Sequence, residues 1–409
     1  MNYITLPVEK IPVRYETQLV VLGGGPSGMA AAVNAARCGI DVMMVERCGF
    51  MGGQATGGLV IVLCGLNDSN ERIIKGFCQE TIDYLEHFNA TKPWHNFIIF
   101  EPEILKKMFD HCIKENNIKL ILNSFATGLE KEHQHINYLL AETKSGKIAI
   151  KTDFVIDCTG DADTLKWTGE KYEQAPKDQL RPVTACFRVG GVDMPSLNEF
   201  ITNNKNDFLN LFANSKLDIN PMHWAPCVDN HFIWFDTGHI TNIDITDVDD
   251  LTKGELEARK RGWEIFEFYK DNVKGFENAY IVDIAPLLGV RDSRRLKGKH
   301  FITSGDYKHS FDDKICYAPY YFAGKGKIGR LEIPYRALIP QSIKNLLVAG
   351  RAISIEHKLI DCIREIPCCY ATGQAAGIAA SIAIKDGVDA KDISIKKLQD
   401  ELKRQGAYV

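Results

Sequence analysis

No two of the twelve cysteines in this 409-residue chain stand in a CxxC or CxxxxC relation. That absence argues against a redox-active dithiol, an iron–sulfur ligand set and a cysteine-based zinc site. The cysteines lie scattered through apolar segments and read as buried reduced thiols, with the adjacent pair Cys368-Cys369 packed in a small-residue helix because neighbouring cysteines rarely bridge without strain. Charge of one sign is also lacking: 49 basic against 53 acidic residues leave a net charge of −4, which gives no basic field for nucleic acid. Long apolar runs are missing too. The most apolar stretch, residues 57–66, is too short to span a bilayer, and residues 1–17 carry prolines and mixed charge rather than the pattern of a secretory signal. The expectations are a cytoplasmic protein, a small-molecule partner, no membrane or nucleic-acid partner, and no metal. The acids of residues 244–250 read as a solvated loop ahead of a helix.

The strongest positive signal is Leu19-Val20-Val21-Leu22 followed by Gly23-Gly24-Gly25-Pro26-Ser27-Gly28, a small-residue run to Arg37, and Val42-Met43-Met44-Val45 closing on Glu46. Strand, glycine turn, helix and strand with a distal acid form the signature of a dinucleotide-binding unit. Gly23 permits the tight turn, Gly25 admits a pyrophosphate, and Gly28 lets helix and strand pack closely. Phosphates would meet free N–H groups at the helix start. Glu46 can accept from a ribose diol and would repel a 2′-phosphate, so the ligand reads as FAD or NAD rather than NADP. A second match to the glycine spacing, Gly324 to Gly329, precedes Leu331-Glu332-Ile333-Pro334 and reads as a hairpin turn, not a helix start.

Glycine-rich residues 49–58 suggest backbone brought close to a ligand. Residues 103–116 have helical apolar spacing, residues 118–122 read as a buried strand, and residues 136–142 with 147–152 read as a hairpin. Residues 153–161 read as a separate strand running into a glycine turn. From about Gly191 the composition changes to asparagine-rich and aromatic, suggesting an inserted region in which Thr252-Lys253-Gly254-Glu255 has the form of a capping box. The last third returns to the opening pattern, with Asn345-Leu346-Leu347-Val348-Ala349-Gly350-Arg351 and a helix starting near Pro367. No sequence repeat is present. The expected division is residues 17–190, an insertion at 191–280, and a returning segment at 281–398.

Four blocks then carry a resemblance: VVLGGGPSGMAAAVNAARCG with VERCGFMGGQATGG, VIDCTGDADTLKWTG, LLGVRDSRRLKG, and NLLVAGRAIS with IREIPCCYATGQAAGIAA. In this order they resemble the FAD-dependent oxidoreductases of the glutathione-reductase type. The resemblance implies an α/β fold: a Rossmann-like FAD-binding domain interrupted by an α+β substrate domain. It implies that Gly23, Gly25, Pro26, Ser27 and Gly28 hold the pyrophosphate and Glu46 the adenosine ribose. Arg47, Gly52, Gly53 and Gln54 would line the pyrophosphate and flavin side, Ala126 the adenine, and Gly160, Asp161, Gly350 and Arg351 the remaining cofactor turns. The helix near Pro367, with Gly373, Ala375 and Ala376, would face the isoalloxazine, where a helix N-terminus favours the negative charge of a reduced flavin.

Candidate catalytic groups are Arg291 and Arg294, from the block Arg291-Asp292-Ser293-Arg294-Arg295, which could clamp a carboxylate. Arg364 lies just ahead of the flavin-facing helix. His357 could act as acid or base near neutral pH, with His239 as its counterpart from the inserted region. The implied activity is oxidation, desaturation or reduction of a small polar or carboxylate-bearing metabolite by hydride transfer through the flavin. The electron acceptor and oligomeric state stay open. A non-redox enzyme of the same fold binding FAD or NAD, and a flavin-bearing electron-transfer subunit, are the alternatives.

Overall fold

A computed structural model describes residues 4, 8–215, 217, 219–324 and 326–409. Residues 1–3 and 5–7 of the N-terminal stretch, and Lys325 of the second glycine motif, lie outside the described residues.

The opening motif forms as read: β1 (Val13–Leu22), α1 (Pro26–Arg37) and β2 (Val42–Val45). A third parallel strand, β3 (Lys119–Ile121), extends the sheet beyond β2, and Pro102–Glu115 is the helix ahead of it. On the other side, β4 (Phe125–Glu132), β5 (His135–Thr143) and β6 (Gly146–Asp157) form an antiparallel meander whose last strand runs parallel to β1. The last strand, β7 (Leu346–Val348), pairs in parallel with the end of β6.

One reading is corrected here. Residues 147–152 and 153–157 are a single strand, β6, rather than two. Its first half pairs with β5 and its second half with β7 along the same edge. The last residues, Phe154 to Asp157, are all buried, as expected for a strand covered on both faces. The change in burial rhythm looked like a break in the sequence.

The end of the chain folds back as α2 (Ile366–Asp386), which packs along α1. The seam uses glycine: a Cβ on Gly373 would stand 2.1 Å from the Ser27 carbonyl oxygen, and one on Gly377 would stand 2.1 Å from that of Ala31. Matching Ser27 to Gly373 and Ala31 to Gly377 makes the helices parallel. At 1.5 Å per residue, α2 therefore begins about 9 Å ahead of α1 along the shared axis.

A second, four-stranded antiparallel sheet runs in the order Trp224–Pro226, Phe232–Phe235, Phe187–Gly190, Tyr280–Ile284. With the Val248–Asn272 helix it encloses a separate aromatic core that includes Phe187, Phe208, Phe235 and Tyr269. Phe187–Gly190 is an inner strand of this sheet and Tyr280–Ile284 its edge strand. The proposed capping box is also corrected. The Val248–Asn272 helix starts a turn earlier, with Asp247 accepting from the Asp249 and Asp250 N–H groups, while Thr252 Oγ1 donates back to the Val248 carbonyl from inside the helix. Asp247 thus caps the helix at its positive end.

The second glycine motif joins Lys314–Tyr320 to Gly329–Pro334 in an antiparallel hairpin. No helix among the described residues is long and apolar enough to cross a membrane.

Candidate active site

The parallel strands β1, β2, β6 and β7 end on the same side, and a cleft opens at those carboxyl ends, where open α/β sheets place their ligands. Its unfilled volume, open mouth included, is about 1540 Å³. Both α1 and α2 point their N-termini into it: Gly25, Pro26 and Ser27 line one part, and Glu365, Ile366 and Cys369 another.

The turn after β1 is built for close approach. Gly23 has φ +89°, and a Cβ there would stand 2.5 Å from the Cys158 carbonyl oxygen. Gly28 lies behind the cleft, where a Cβ would meet the Gly23 carbonyl oxygen at 1.8 Å, so its role is the helix–strand packing that the spacing predicts. Around Gly25, by contrast, nothing lies within 4 Å of a built Cβ, leaving the backbone at the helix start open. Glu46 is buried at the end of β2; its Oε2 accepts from Gly24 N at 2.5 Å and its Oε1 from Cys48 N at 2.8 Å. It therefore fixes both loops while lining the cleft.

Arg47, Gly53, Gln54, Ala126, Gly160, Asp161 and Arg351 also line the cleft. Arg351 donates to Asp161 Oδ1 at 2.5 Å and to the Val290 carbonyl at 3.0 Å, tying the turn after β6 to the returning chain. Gln54 Nε2 donates to Leu288 O, while its buried Oε1 has no hydrogen-bond partner among the described residues. Several expected cofactor positions lie elsewhere. Gly52 sits behind Gly53 with φ +111°, packed on Thr56. Gly350 backs onto the Ser27 side chain, and Gly373, Ala375 and Ala376 are buried inside the molecule, Gly373 against α1. Only the first turn of α2 reaches the cleft, because the rest of the helix is sealed by its neighbours.

The candidate catalytic residues divide in the same way. Arg291 and Arg364 line the cleft. Arg291 is braced by Asp236 Oδ1 and Thr184 Oγ1, each at 2.6 Å, and Arg364 donates to Asp361 at 2.7 Å. Arg294 instead lies under the β6 turn, donating to Asp161 O and pairing with Asp163. His357 is set away from the cleft, with Nε2 2.7 Å from the buried Asp292 carboxylate that also pairs with the fully buried Arg295. The expectation that His357 faces the reaction is thereby corrected; its partner comes from the arginine block 65 positions earlier in the chain (357 − 292). His239 is not a lining residue but stands 4.0 Å from Asp236, which is.

Four acidic or polar cleft residues were missed. Asp163 follows the β6 turn; burial, reinforced by Asp157 and Asp161, raises its carboxyl to about 6 against the pull of Arg294 and Arg47. Glu365 occupies the N-cap position of α2 without capping it, and burial pushes its carboxyl up although Arg364 opposes the shift. Burial disfavours the ionised form of Asp236, but Arg291, His223 and His239 outweigh it and hold the carboxyl below its usual value. Thr184 is the fourth. Glu365 was findable, since it directly precedes the helix start, whereas Asp236 and Thr184 reach the cleft only through the second sheet. Cys369 also lines the cleft, but burial pushes its thiol up to about 12, so it is no nucleophile near neutral pH.

The family profile described as FAD dependent oxidoreductase matches residues 18–402. The chain belongs to that family. FAD is its cofactor, and the cleft fits it: the backbone at Gly25 is open, Gln54 Oε1 lacks a partner, and two helix N-termini face inward. A curated relative, digeranylgeranylglycerophospholipid reductase 1 of Methanothermobacter thermautotrophicus, is 26% identical over 196 residues, covering 45% of this chain and 48% of the relative. The chain thus spans about half the length of the curated relative it matches. Among solved structures, the p-nitrophenol 4-monooxygenase PnpA of Pseudomonas putida DLL-E4 aligns with a TM-score of 0.50 at 11% identity, over 95% of this chain and 84% of that one. The flavin-dependent brominase Bmp2 aligns with a TM-score of 0.50 at 12% identity, over 95% and 83%. At these identities the likeness speaks for the FAD-binding fold alone.

Proposed function

We propose that this member of the FAD-dependent oxidoreductases is built on the glutathione-reductase plan and moves a hydride between its flavin and a small, polar, carboxylate-bearing metabolite. The substrate would lie between the FAD-binding sheet and the second sheet, which we read as a substrate domain. FAD supplies the two-electron acceptor or donor when bound. In this reading the Gly23–Gly25 turn and the α1 N-terminus hold the pyrophosphate, Glu46 the adenosine ribose, Ala126 the adenine, and Gly160, Asp161 and Arg351 the middle of the cofactor. The first turn of α2 meets the flavin's pyrimidine edge.

The observation that carries the proposal is the stagger of the two helix N-termini on one cleft, with a charged cluster beyond the second. Arg291 and Arg364 stand there with Asp236 and Glu365. Such groups suit an anionic or strongly polar substrate, since an apolar chain would strip water from these charges without adding a polar contact. The lipid substrate in the curated relative's name is therefore not the one we favour. Burial favours the protonated carboxyl of Glu365, which makes it the group best suited to hold a proton for the substrate.

The experiment is purification followed by anaerobic addition of a metabolite panel, read by bleaching of flavin absorbance. Carboxylate-bearing compounds should bleach it, with Arg291→Lys and Arg364→Lys raising KM about tenfold or more. A protein that takes up no FAD would remove the reading altogether, and bleaching by apolar compounds alone would overturn the substrate class.

A further inference from the structure

Beside the charged end of the cleft three side chains converge, His223, Asp236 and His239, of which only Asp236 belongs to the charged cluster described above. One candidate ligand atom from each lies within 4.8 Å of the other two. The arrangement follows from strand pairing. Trp224 pairs with Phe235 in the second sheet, so His223 and Asp236 are the next opposed pair, joined by an Asp236 N–H to His223 carbonyl bond at 3.3 Å. Directly opposed residues project on the same side of a ladder. Gly238, at φ +81° and packed on Arg261 and Ile265, then turns the chain so that His239 comes back to Asp236. The two imidazole rings stand 5.8 Å apart, inclined at 58°.

We infer that His223, Asp236 and His239 form a binding site for a divalent first-row transition ion at the edge of the cleft, with positions left open for a substrate oxygen. Two imidazoles and one carboxylate suit zinc, iron, cobalt or manganese better than magnesium or calcium, which prefer all-oxygen shells. Metal–ligand bonds of about 2.0–2.2 Å require the three atoms to close by roughly an ångström from their present spacing. Both histidines are exposed.

Arg291 supplies the outer support that orients a ligating carboxylate: it donates to Asp236 Oδ1 and is itself held by Thr184 Oγ1 and the Pro182 carbonyl. Asp236 Oδ2 accepts no hydrogen bond among the described residues. Arg291 also brings positive charge, which weakens cation affinity and favours an anionic group as the further ligand. That role for the ion rests on the proposed function; the binding of the ion does not.

The test is titration of the EDTA-treated, tag-free protein with Zn²⁺ followed by calorimetry, in the presence and absence of FAD. One site per chain is expected, with affinity reduced at least a hundredfold in both His223→Ala and His239→Ala. His231→Ala removes an exposed histidine outside the cluster and should leave the affinity unchanged. Thermal melts of each variant verify folding, which these exposed positions should not disturb. Absence of binding up to millimolar Zn²⁺, or equal affinity in all variants, would overturn the inference. Neither outcome touches FAD retention, so failure here is separable from failure of the flavin reading.

Discussion

His357 Nε2 lies 2.7 Å from Asp292 Oδ2, and that carboxylate, fully buried, also pairs with the Arg295 guanidinium. An imidazole and a guanidinium thus share one buried carboxylate, outside the cleft. His357→Gln should leave the rate of flavin reduction by substrate within about twofold. Asp292→Ala, which strands a buried guanidinium, should cost about 3–5 kcal/mol of stability. Stopped-flow and denaturant unfolding separate the two effects; a collapse of reduction rate in the folded His357→Gln protein would restore a chemical role.

Gly373→Ala should destabilise by about 2–3 kcal/mol through overpacking, since the added methyl would meet the Ser27 carbonyl at 2.1 Å. Because Ser27 lies at the start of α1, the same change should loosen FAD retention. The control is Gly387→Ala, at the left-handed C-cap of α2 with φ +65° and open space around it, which should cost only about 1 kcal/mol and spare the cofactor. Equal effects of the two substitutions on FAD release would count against the seam as the cause.

Glu46→Ala should weaken FAD binding about 10- to 100-fold, because two backbone N–H groups lose a charged acceptor and the Gly24 and Cys48 loops come apart. Calorimetric titration of the apoprotein with FAD measures this directly. Glu46→Gln keeps one acceptor oxygen and should fall between the two.

With its carboxyl raised to about 6, Asp163 sets a pH dependence of opposite sign to that of a paired surface carboxylate. Below about pH 4 both folded and unfolded chains are protonated there. As pH rises toward 6 the unfolded chain ionises first, so this residue's favourable contribution is lost across that window. Solvent screening at a position with 36% of the side chain exposed limits the effect to about 1 kcal/mol. Asp163→Asn should flatten the change in melting temperature between pH 4 and 6.5; an unchanged slope would show that the shift has another source.

The parts of the fold legible in the sequence are those whose causes are local. The β1 turn, α1 and Glu46 follow from contiguous residues, and the Gly324 to Gly329 hairpin followed from the proline and alternation after it. The start of the Val248–Asn272 helix was misplaced because both Asp247 and Thr252 are good caps, and only the hydroxyl's bond back to Val248 decides between them. In α2 the small residues are apolar on every face, so no periodicity could tell the cleft-facing first turn from the sealed interior around Gly373. Asp236 reaches Arg291 across 55 positions that hold the Val248–Asn272 helix and the edge strand Tyr280–Ile284, and no spacing rule encodes that contact.

The glycine seam between α1 and α2 has one more consequence. With Ser27 against Gly373 and Ala31 against Gly377, the two helices cannot slide independently, and both N-termini that line the cleft are carried by one packed unit. In the proposed binding mode that unit would grip the nucleotide at both ends, and divergence toward new substrates would fall to the opposite wall, built by the aromatic sheet.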